Sequence, residues 1–375
     1  MQYSLAPWSS PVSHLVRAAP DHPVLYLSPK VLQDTARQFL TGFPGVVTYA
    51  VKANDRAETL ANLVAAGITG FDVASSGEMA AVRSIYPQAV LHYNNPVRSL
   101  AEVEAGISQG VASWSVDDAD ELDKLKAVRK GVEIAVRFAL PVAGAAYDFG
   151  DKFGATPEQA AALLARVAQG GWTPALSFHP GTQCENPAAW ATYIAEAAQI
   201  AHRAGIRIAR LNVGGGFAAN RSGTAPDLGA VFDAITQAAH SAFASPPPAL
   251  VCEPGRAMVS EACTLAARVK ALRDNGGTVF LNDGVYGGLA DLRDMGLTGR
   301  VQVVGPNGTF RNGAVRPRVV FGPTCDSLDR LPDGLELPAD TKAGDYLLFA
   351  GMGAYSVAMS TAFNGYGLRD VVTVR

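Results

Sequence analysis

From about residue 46 to residue 255 the chain alternates short apolar, β-branched runs with longer Ala-rich segments whose apolar positions recur at helical spacing. The candidate strands are VVTYAVK (46–52), GFDVAS (70–75), AVLHYN (89–94), ASWSVD (112–117), EIAVRFAL (133–140), PALSFH (174–179), RIARLNV (207–213) and ALVCEP (249–254). Eight strands with a helix between each pair predict a (β/α)8 barrel; a doubly wound sheet is the less favoured reading of the same pattern. Helix boundaries are legible too. Asp117 precedes an acidic first turn, and Pro157-Glu158 opens a segment that ends at Gly170-Gly171.

After Met258 the texture changes. TLAARVKALR, GTVFLNDG, VQVVG, AVRPRVVFG and DYLLFAG are short strand-like runs split by Gly, Pro, Asn and Asp. The pattern predicts an α/β barrel over residues 28–262 and a β domain, a sandwich or barrel, formed by residues 263–375 and completed by residues 1–27. Disorder is expected in the first dozen residues and in the loop from Ala218 to Asp227.

At 375 residues the chain exceeds one ordinary hydrophobic core, in keeping with two domains. Its 31 basic and 34 acidic residues leave a net charge of −3 with no long run of either sign, which offers little to nucleic acid or an anionic membrane. Small molecules and other protein chains are the expected partners. Cys184, Cys252, Cys263 and Cys325 stand far apart with no CxxC pair, so neither a zinc site nor a disulfide framework is indicated. No His, Asp or Glu cluster has metal-ligand spacing. No run reaches the roughly 20 apolar residues that span a bilayer, and no leader pattern opens the chain. A cytoplasmic protein is expected.

In such a barrel ligands bind at the C-terminal ends of the strands, and the residues there carry chemistry. The first strand ends in Lys52, the second contains Asp72, the fifth contains Arg137, and the sixth ends in His179. The seventh runs into Gly214-Gly215-Gly216, and the eighth ends in Glu253-Pro254-Gly255-Arg256. A lysine closing an apolar strand either leaves its amine in a confined site, where desolvation favours the nucleophilic free base, or snorkels to the rim as ordinary surface charge. Three glycines after a strand let backbone N–H groups close on an anion that Arg256 could clamp, or form a flexible turn. Glu253 could hold a pyridine nitrogen protonated, or pair structurally with Arg256. His179 could stack on a ring or be a satisfied core residue.

Taken together, YAVKAN around Lys52, FDVAS around Asp72, SFHPGTQ around His179, NVGGGF, CEPGR, NDGVYG, GPTCDSLD and GAYSVAMSTAFNGY resemble, in order and approximate spacing, the fold type III pyridoxal-phosphate decarboxylases. That family holds the ornithine, lysine, diaminopimelate and biosynthetic arginine decarboxylases, and the resemblance covers almost the whole chain. It implies pyridoxal 5'-phosphate as cofactor, Lys52 as the Schiff-base lysine, His179 stacked on the ring and Glu253 at the pyridine nitrogen. Thr182, Gly214, Gly215, Gly216, Gly255, Arg256 and Tyr355 would surround the phosphate, with Asp72 and Arg137 in support. It further implies that Cys325 returns a proton to the former α-carbon and that Asp326 binds the distal ammonium of the substrate, with Tyr286 and Asn364 beside it. In this family the thiol and the carboxylate come from the partner subunit of a head-to-tail homodimer with two shared sites.

The CDSLD form of the motif resembles the ornithine and lysine enzymes; diaminopimelate enzymes carry glutamate where Asp326 stands. The resemblance therefore implies conversion of L-ornithine to putrescine, with lysine second. Two regions depart from it: Pro180 and Thr182 replace the more usual residues after His179, the threonine keeping a hydroxyl for the phosphate, and LADLRDMG follows NDGVYG where the family has a tyrosine-aspartate-histidine run, so Asp294 or Asp291 is the candidate second acid. The alternatives are an atypical diamino acid as substrate, a racemase of the same barrel class, and a catalytically silent homologue. A racemase would want a tyrosine base in place of the cysteine, and a silent homologue need not keep Lys52, Glu253, Arg256 and Cys325.

Overall fold

The computed structural model describes residues 7–141 and 152–375. The chain divides into two compact units, one of residues Thr35–Ala218 and Pro226–Met258, the other of Met1–Asp34, Ala219–Ala225 and Val259–Arg375. In chain order the strands are β1 (Val24–Leu27), β2 (Val46–Ala50), β3 (Gly70–Val73), β4 (Val90–Tyr93), β5 (Ser113–Val116), β6 (Glu133–Arg137), β7 (Thr173–Ser177) and β8 (Arg210–Asn212). They continue with β9 (Ala249–Cys252), β10 (Cys263–Arg273), β11 (Thr278–Leu281), β12 (Val301–Val304), β13 (Val315–Phe321), β14 (Leu335–Pro338), β15 (Tyr346–Ala350) and β16 (Asp370–Thr373).

In the first unit β2 to β9 close a parallel barrel, sealed where Val46 and Val47 pair with Val251 and Cys252. Large side chains alternate with small or polar ones along these strands, as the pleat requires. Tyr49, Phe71, Leu91, Trp114 and Ile134 are fully buried, and Trp114 lies so close under the helix Leu100–Ser108 that a Cβ on Gly106 would come within 2.4 Å of it. The alternate positions are small and polar. His92 bonds Ser113 at 2.7 Å, Thr48 donates to the Cys252 carbonyl at 3.1 Å, and register sets Arg137 beside Ser177 and Ser177 beside Asn212. That register carries a polar stripe up to the strand ends.

The helices start where the sequence signals them. Thr156 and Gln159 form a reciprocal capping box ahead of the helix Pro157–Gln169, satisfying two otherwise orphaned N–H groups. One boundary moves: Asp118, and not Asp117, caps the helix Ala119–Lys124, because the Asp117 carboxylate accepts from the Gly154 N–H at 2.9 Å instead. The strands are also shorter than their apolar runs. Residues 51–53 already form a 3-10 turn, since the chain leaves the ladder where its polar ends face the barrel mouth.

In the second unit the sheet order is β12-β15-β10-β11-β13-β14, and β1 pairs with both β10 and β16. The eleven-residue β10 serves two neighbours along one edge. Its first half pairs with β1, and beyond a bulge at Val269–Ala271 its second half pairs with β11. Leu15, Val24, Tyr26, Ala266, Val304, Tyr346, Leu348 and Val374 form a core there, with Trp8 packed against it. The expected disorder of the first dozen residues falls partly outside the described residues. Within them Trp8 bridges to Val374, and Ser10 caps a helix that starts at Pro11, because apolar packing outweighs the turn-forming composition. The expected disorder after Ala218 is likewise overruled. Arg221 donates to the Gly296 carbonyl at 2.6 Å, and its own carbonyl accepts from the Gly299 N–H at 2.9 Å. Among the described residues no helix is long and apolar enough to cross a membrane.

Candidate active site

The candidate side chains fall into two groups, one on each unit. At the C-terminal mouth of the barrel, Glu253 follows β9 and its Oε1 accepts from the side-chain amides of both Asn94 and Asn212. Burial, reinforced by the nearby charge of Asp72, pushes its carboxyl up to about 8, against the lowering effect of the Asn212 bond and of Arg137 and Lys52. Asp72, on β3, is also raised by burial, and Lys52, Asn94 and Arg137 oppose the shift. Arg137, at the end of β6, is lowered by burial while Glu253, Asp117 and Asp72 sustain its charge. The asparagine pair answers the question left by the sequence about Glu253: its anchors are neutral amides, a setting that leaves its charge state responsive to what sits against it.

His179 follows β7. Its Nδ1 accepts the Gly181 N–H at 3.1 Å, and burial together with the charges of Lys52 and Arg137 holds its pKa well below the usual imidazole value. The ring is therefore neutral with its proton on Nε2. Gly214, Gly215 and Gly216 pass so close to this segment that side chains are excluded. A Cβ would lie 2.2 Å from the Phe178 carbonyl at Gly214, 2.7 Å from the Glu253 carbonyl at Gly215, and 2.3 Å from the Gly181 carbonyl at Gly216. With φ of 70° at Gly214 and 85° at Gly216, the run is a close-approach loop rather than a merely flexible turn. The Cys184 N–H donates to the Gly216 carbonyl at 2.9 Å and ties the Pro180–Gln183 turn, which carries the half-buried Thr182, to this loop. Gly255 packs against Ala50 and Ala53, and the buried Arg256 opens the short helix Arg256–Val259.

Lys52 lies on the 3-10 turn after β2 and is exposed, so of the two readings left open for it the chain alone forms the rim lysine. The strand ends two residues early, and the turn carries the side chain out over the mouth. Its charge nevertheless bears on Asp72, Glu78, His179 and Glu253. Sequence reasoning placed Asn94 at a strand end without a role and missed Asn212 and Glu78. Asn94 and Asn212 hold Glu253. Glu78 accepts the Ala74 N–H at 2.7 Å, and burial raises its carboxyl to about 7. Ser75 and Glu78 have the spacing of a helix cap, and that signal could have located Glu78.

On the other unit, the turns after β11 and β13 and the 3-10 turn Phe363–Gly365 after β15 bring together Tyr286, Cys325, Asp326 and Asn364. The Tyr286 hydroxyl donates to Asp326 Oδ2 at 2.6 Å and the Leu328 N–H to Oδ1 at 2.9 Å, bonds that lower the pKa of Asp326. Buried Asp329 fixes both turns by accepting from the Val285 N–H at 2.9 Å, the Thr324 N–H at 3.0 Å and the Thr324 hydroxyl at 2.9 Å. Cys325 is exposed and borders a cleft of about 470 Å³ that Asp326, Phe280 and Phe321 also line. The two candidate second acids part company. Asp291 is buried against Arg221 at 3.4 Å, whereas Asp294 is exposed and paired with Arg293 at 3.0 Å. Tyr355 belongs to this unit and takes the left-handed conformation, φ 59°.

Residues 30–260 match the family model described as pyridoxal-dependent decarboxylase, pyridoxal binding domain. The chain belongs to this family. A lysine/ornithine decarboxylase of Selenomonas ruminantium is 31% identical over 334 residues, which cover 87% of this chain and 82% of that protein. The arginine decarboxylase of Paramecium bursaria Chlorella virus bound to agmatine superposes with a TM-score of 0.86 at 26% identity, over 96% of this chain and 98% of that one. The lysine/ornithine decarboxylase of Vibrio vulnificus complexed with putrescine does so with a TM-score of 0.83 at 27% identity, over 98% and 99%. Membership makes this chain a pyridoxal-phosphate-dependent carboxy-lyase for basic amino acids.

Proposed function

We propose that the chain decarboxylates L-ornithine to putrescine, with lysine as the nearest competitor, and that a homodimer is the active form. The observation that carries this reading is Asp326, kept ionised by Tyr286 and by the Leu328 N–H next to the Cys325 thiol. One carboxylate with one hydrogen bond already on each oxygen suits a compact terminal ammonium better than a planar guanidinium, which asks for a free two-oxygen fork. Both acids face an arginine, but Asp291 is buried while Asp294 is exposed, so Asp294 is the acid we assign to help at the distal amine.

The barrel mouth fits the cofactor. The glycine loop lies too close to the Phe178, Glu253 and Gly181 carbonyls to admit a Cβ, and its bare backbone, with Thr182, Gly255 and Arg256, would hold the phosphate. Lys52 would bind the aldehyde carbon, neutral His179 would lie against the ring, and Glu253, supported by Asp72 and Arg137, would keep the ring nitrogen protonated. Bound, pyridoxal phosphate supplies the electron sink that receives the pair left behind by carbon dioxide. The chain orients the substrate through Asp326 and returns a proton from Cys325 Sγ. Exposed Leu328, Met359, Phe363 and Tyr366 belong to the segments carrying Asp326 and Asn364, and apolar surface of this kind calls for a partner. We assign that role to the barrel mouth of a second copy. The four free thiols support a cytoplasmic setting.

The test is product identification with the cofactor-loaded protein and ornithine, lysine, arginine and diaminopimelate in turn. Putrescine from ornithine as the preferred reaction is the expected result. Asp326→Ala should lower kcat/KM for ornithine by about 10- to 100-fold, with cofactor affinity unchanged. Preference for another member of the panel, or ornithine kinetics indifferent to that substitution, overturns the assignment.

A further inference from the structure

The Asn364 side chain has an orientation that its neighbours determine. Its Oδ1 lies 3.1 Å from the Cys325 backbone nitrogen and 3.2 Å from Cys325 Sγ. A backbone N–H can only donate, so the amide must present its oxygen and not its NH2 to Cys325. The thiol then meets an acceptor, and its hydrogen must point along the Sγ–Oδ1 line. Other bonds hold the segment in place. The Thr361 N–H and hydroxyl both donate to the Tyr286 carbonyl, at 2.8 and 2.9 Å, and Phe363 packs on the Tyr286 ring with centroids 5.2 Å apart. Asn364 itself has φ 51°, a left-handed conformation that asparagine tolerates better than most residues. The turn that anchors Tyr286, and through it Asp326, thus also sets the proton of Cys325.

We infer that Asn364 is a positioning residue for the proton donor: its carbonyl oxygen selects one thiol rotamer and holds the hydrogen on sulfur until the substrate's α-carbon takes it. The inference rests on the reading of Cys325 as that donor. In the step itself the S–H bond breaks and a C–H bond forms at the α-carbon, using the electron pair stored in the cofactor. The thiolate left facing Oδ1 regains a proton from water. If the thiol is misaimed, the proton arrives at the cofactor's own carbon instead, and water then releases an aldehyde and the aminated cofactor in place of the amine.

The test uses the holoenzyme with Asn364→Gly, which keeps the left-handed backbone and deletes the acceptor, and Asn364→Asp, which keeps an acceptor and adds a charge. Two quantities are read beside kcat and KM: the fraction of turnovers ending in aldehyde, and the rate at which iodoacetamide labels Cys325 at fixed pH. Labelling is specific because Cys184, Cys252 and Cys263 are buried. With Asn364→Gly the aldehyde fraction should rise by about 10-fold or more and labelling should quicken, while KM stays within about 2-fold. With Asn364→Asp labelling should slow, since a neighbouring negative charge disfavours the thiolate. A rise in KM with aldehyde fraction and labelling unchanged makes Asn364 a substrate contact and overturns the inference. Equal quickening in both variants marks mere loosening of the turn and overturns it too. Cys325→Ala separates the two levels. If it leaves the amine yield intact, the donor reading fails; if it diverts turnover and Asn364→Gly does not, only the positioning role fails.

Discussion

Glu253 is folded into place against its own electrostatics. An unfolded glutamate ionises near 4.5, and burial beside Asp72 moves this one up to about 8. Between those values the folded chain holds a proton that the unfolded chain has lost, so the contribution of Glu253 to stability falls as pH rises from 4.5 through 8. At about 1.4 kcal/mol per pKa unit the loss is on the order of a few kcal/mol. Glu253→Gln keeps the oxygen that Asn94 and Asn212 bond and cannot ionise. The cofactor-free variant should therefore melt several degrees above the cofactor-free parent at pH 8 and together with it at pH 4.5. Calorimetry across that range checks this, and a difference independent of pH would show that the carboxyl is already ionised in the fold. Residues of this kind divide sharply in how legible they are. Lys52, His179, Glu253 and Arg256 announce themselves because each is a polar side chain closing an apolar run. Asn94 closes a run too, as the last residue of AVLHYN, but its task and that of Asn212 stay hidden, because they bond a carboxylate 159 and 41 residues away in a pairing that only barrel closure creates.

At the scale of elements, the loop after β8 is the part of the proposed phosphate site that rests on backbone rather than on side chains. Gly215 has no left-handed backbone to protect, so Gly215→Ala tests close approach alone: its Cβ would stand 2.7 Å from the Glu253 carbonyl and 3.3 Å from His179 Nε2. Overpacking of that kind costs about 1 to 3 kcal/mol, and since the displaced groups are those assigned to the ring and phosphate, cofactor affinity should fall by about 10-fold or more. Titration of the stripped protein with pyridoxal phosphate, followed by absorbance, measures it. An unchanged affinity would remove the loop from the phosphate site. The eight barrel strands were readable because each buried strand is a dense apolar run. Their ends were read too long, since the run continues past the last paired residue, as at Val51 after β2. β14 and β16 escaped because LELP and DVVT are four residues long and half exposed, and partners distant in the chain hold them in the sheet. The helix Pro11–Ala18 escaped for the same reason: its order comes from Leu15 and Trp8 against a core built largely from residues beyond 260.

At the scale of the whole molecule, the acid and the thiol belong to one unit and the lysine to the other. A thiol exposed beside an apolar rim gains its function when something covers it, and Leu328, 74% exposed, together with Phe363 at 43%, marks where. If a second copy provides the cover by two-fold symmetry, each site draws Lys52 from one protomer and Cys325 from its partner. Lys52→Ala and Cys325→Ala homodimers then each lack one group at both sites. Random exchange makes half of the dimers mixed, and a mixed dimer holds one site with both defects and one with neither. An equal mixture should therefore recover about a quarter of the activity of the unmodified protein. Recovery should appear at the rate of subunit exchange, followed by energy transfer between labelled protomers, and should vanish when the protomers of each variant are cross-linked before mixing. If exchange is complete and no activity returns, Lys52 and Cys325 of the same chain serve the same site, and the apolar rim has some other partner.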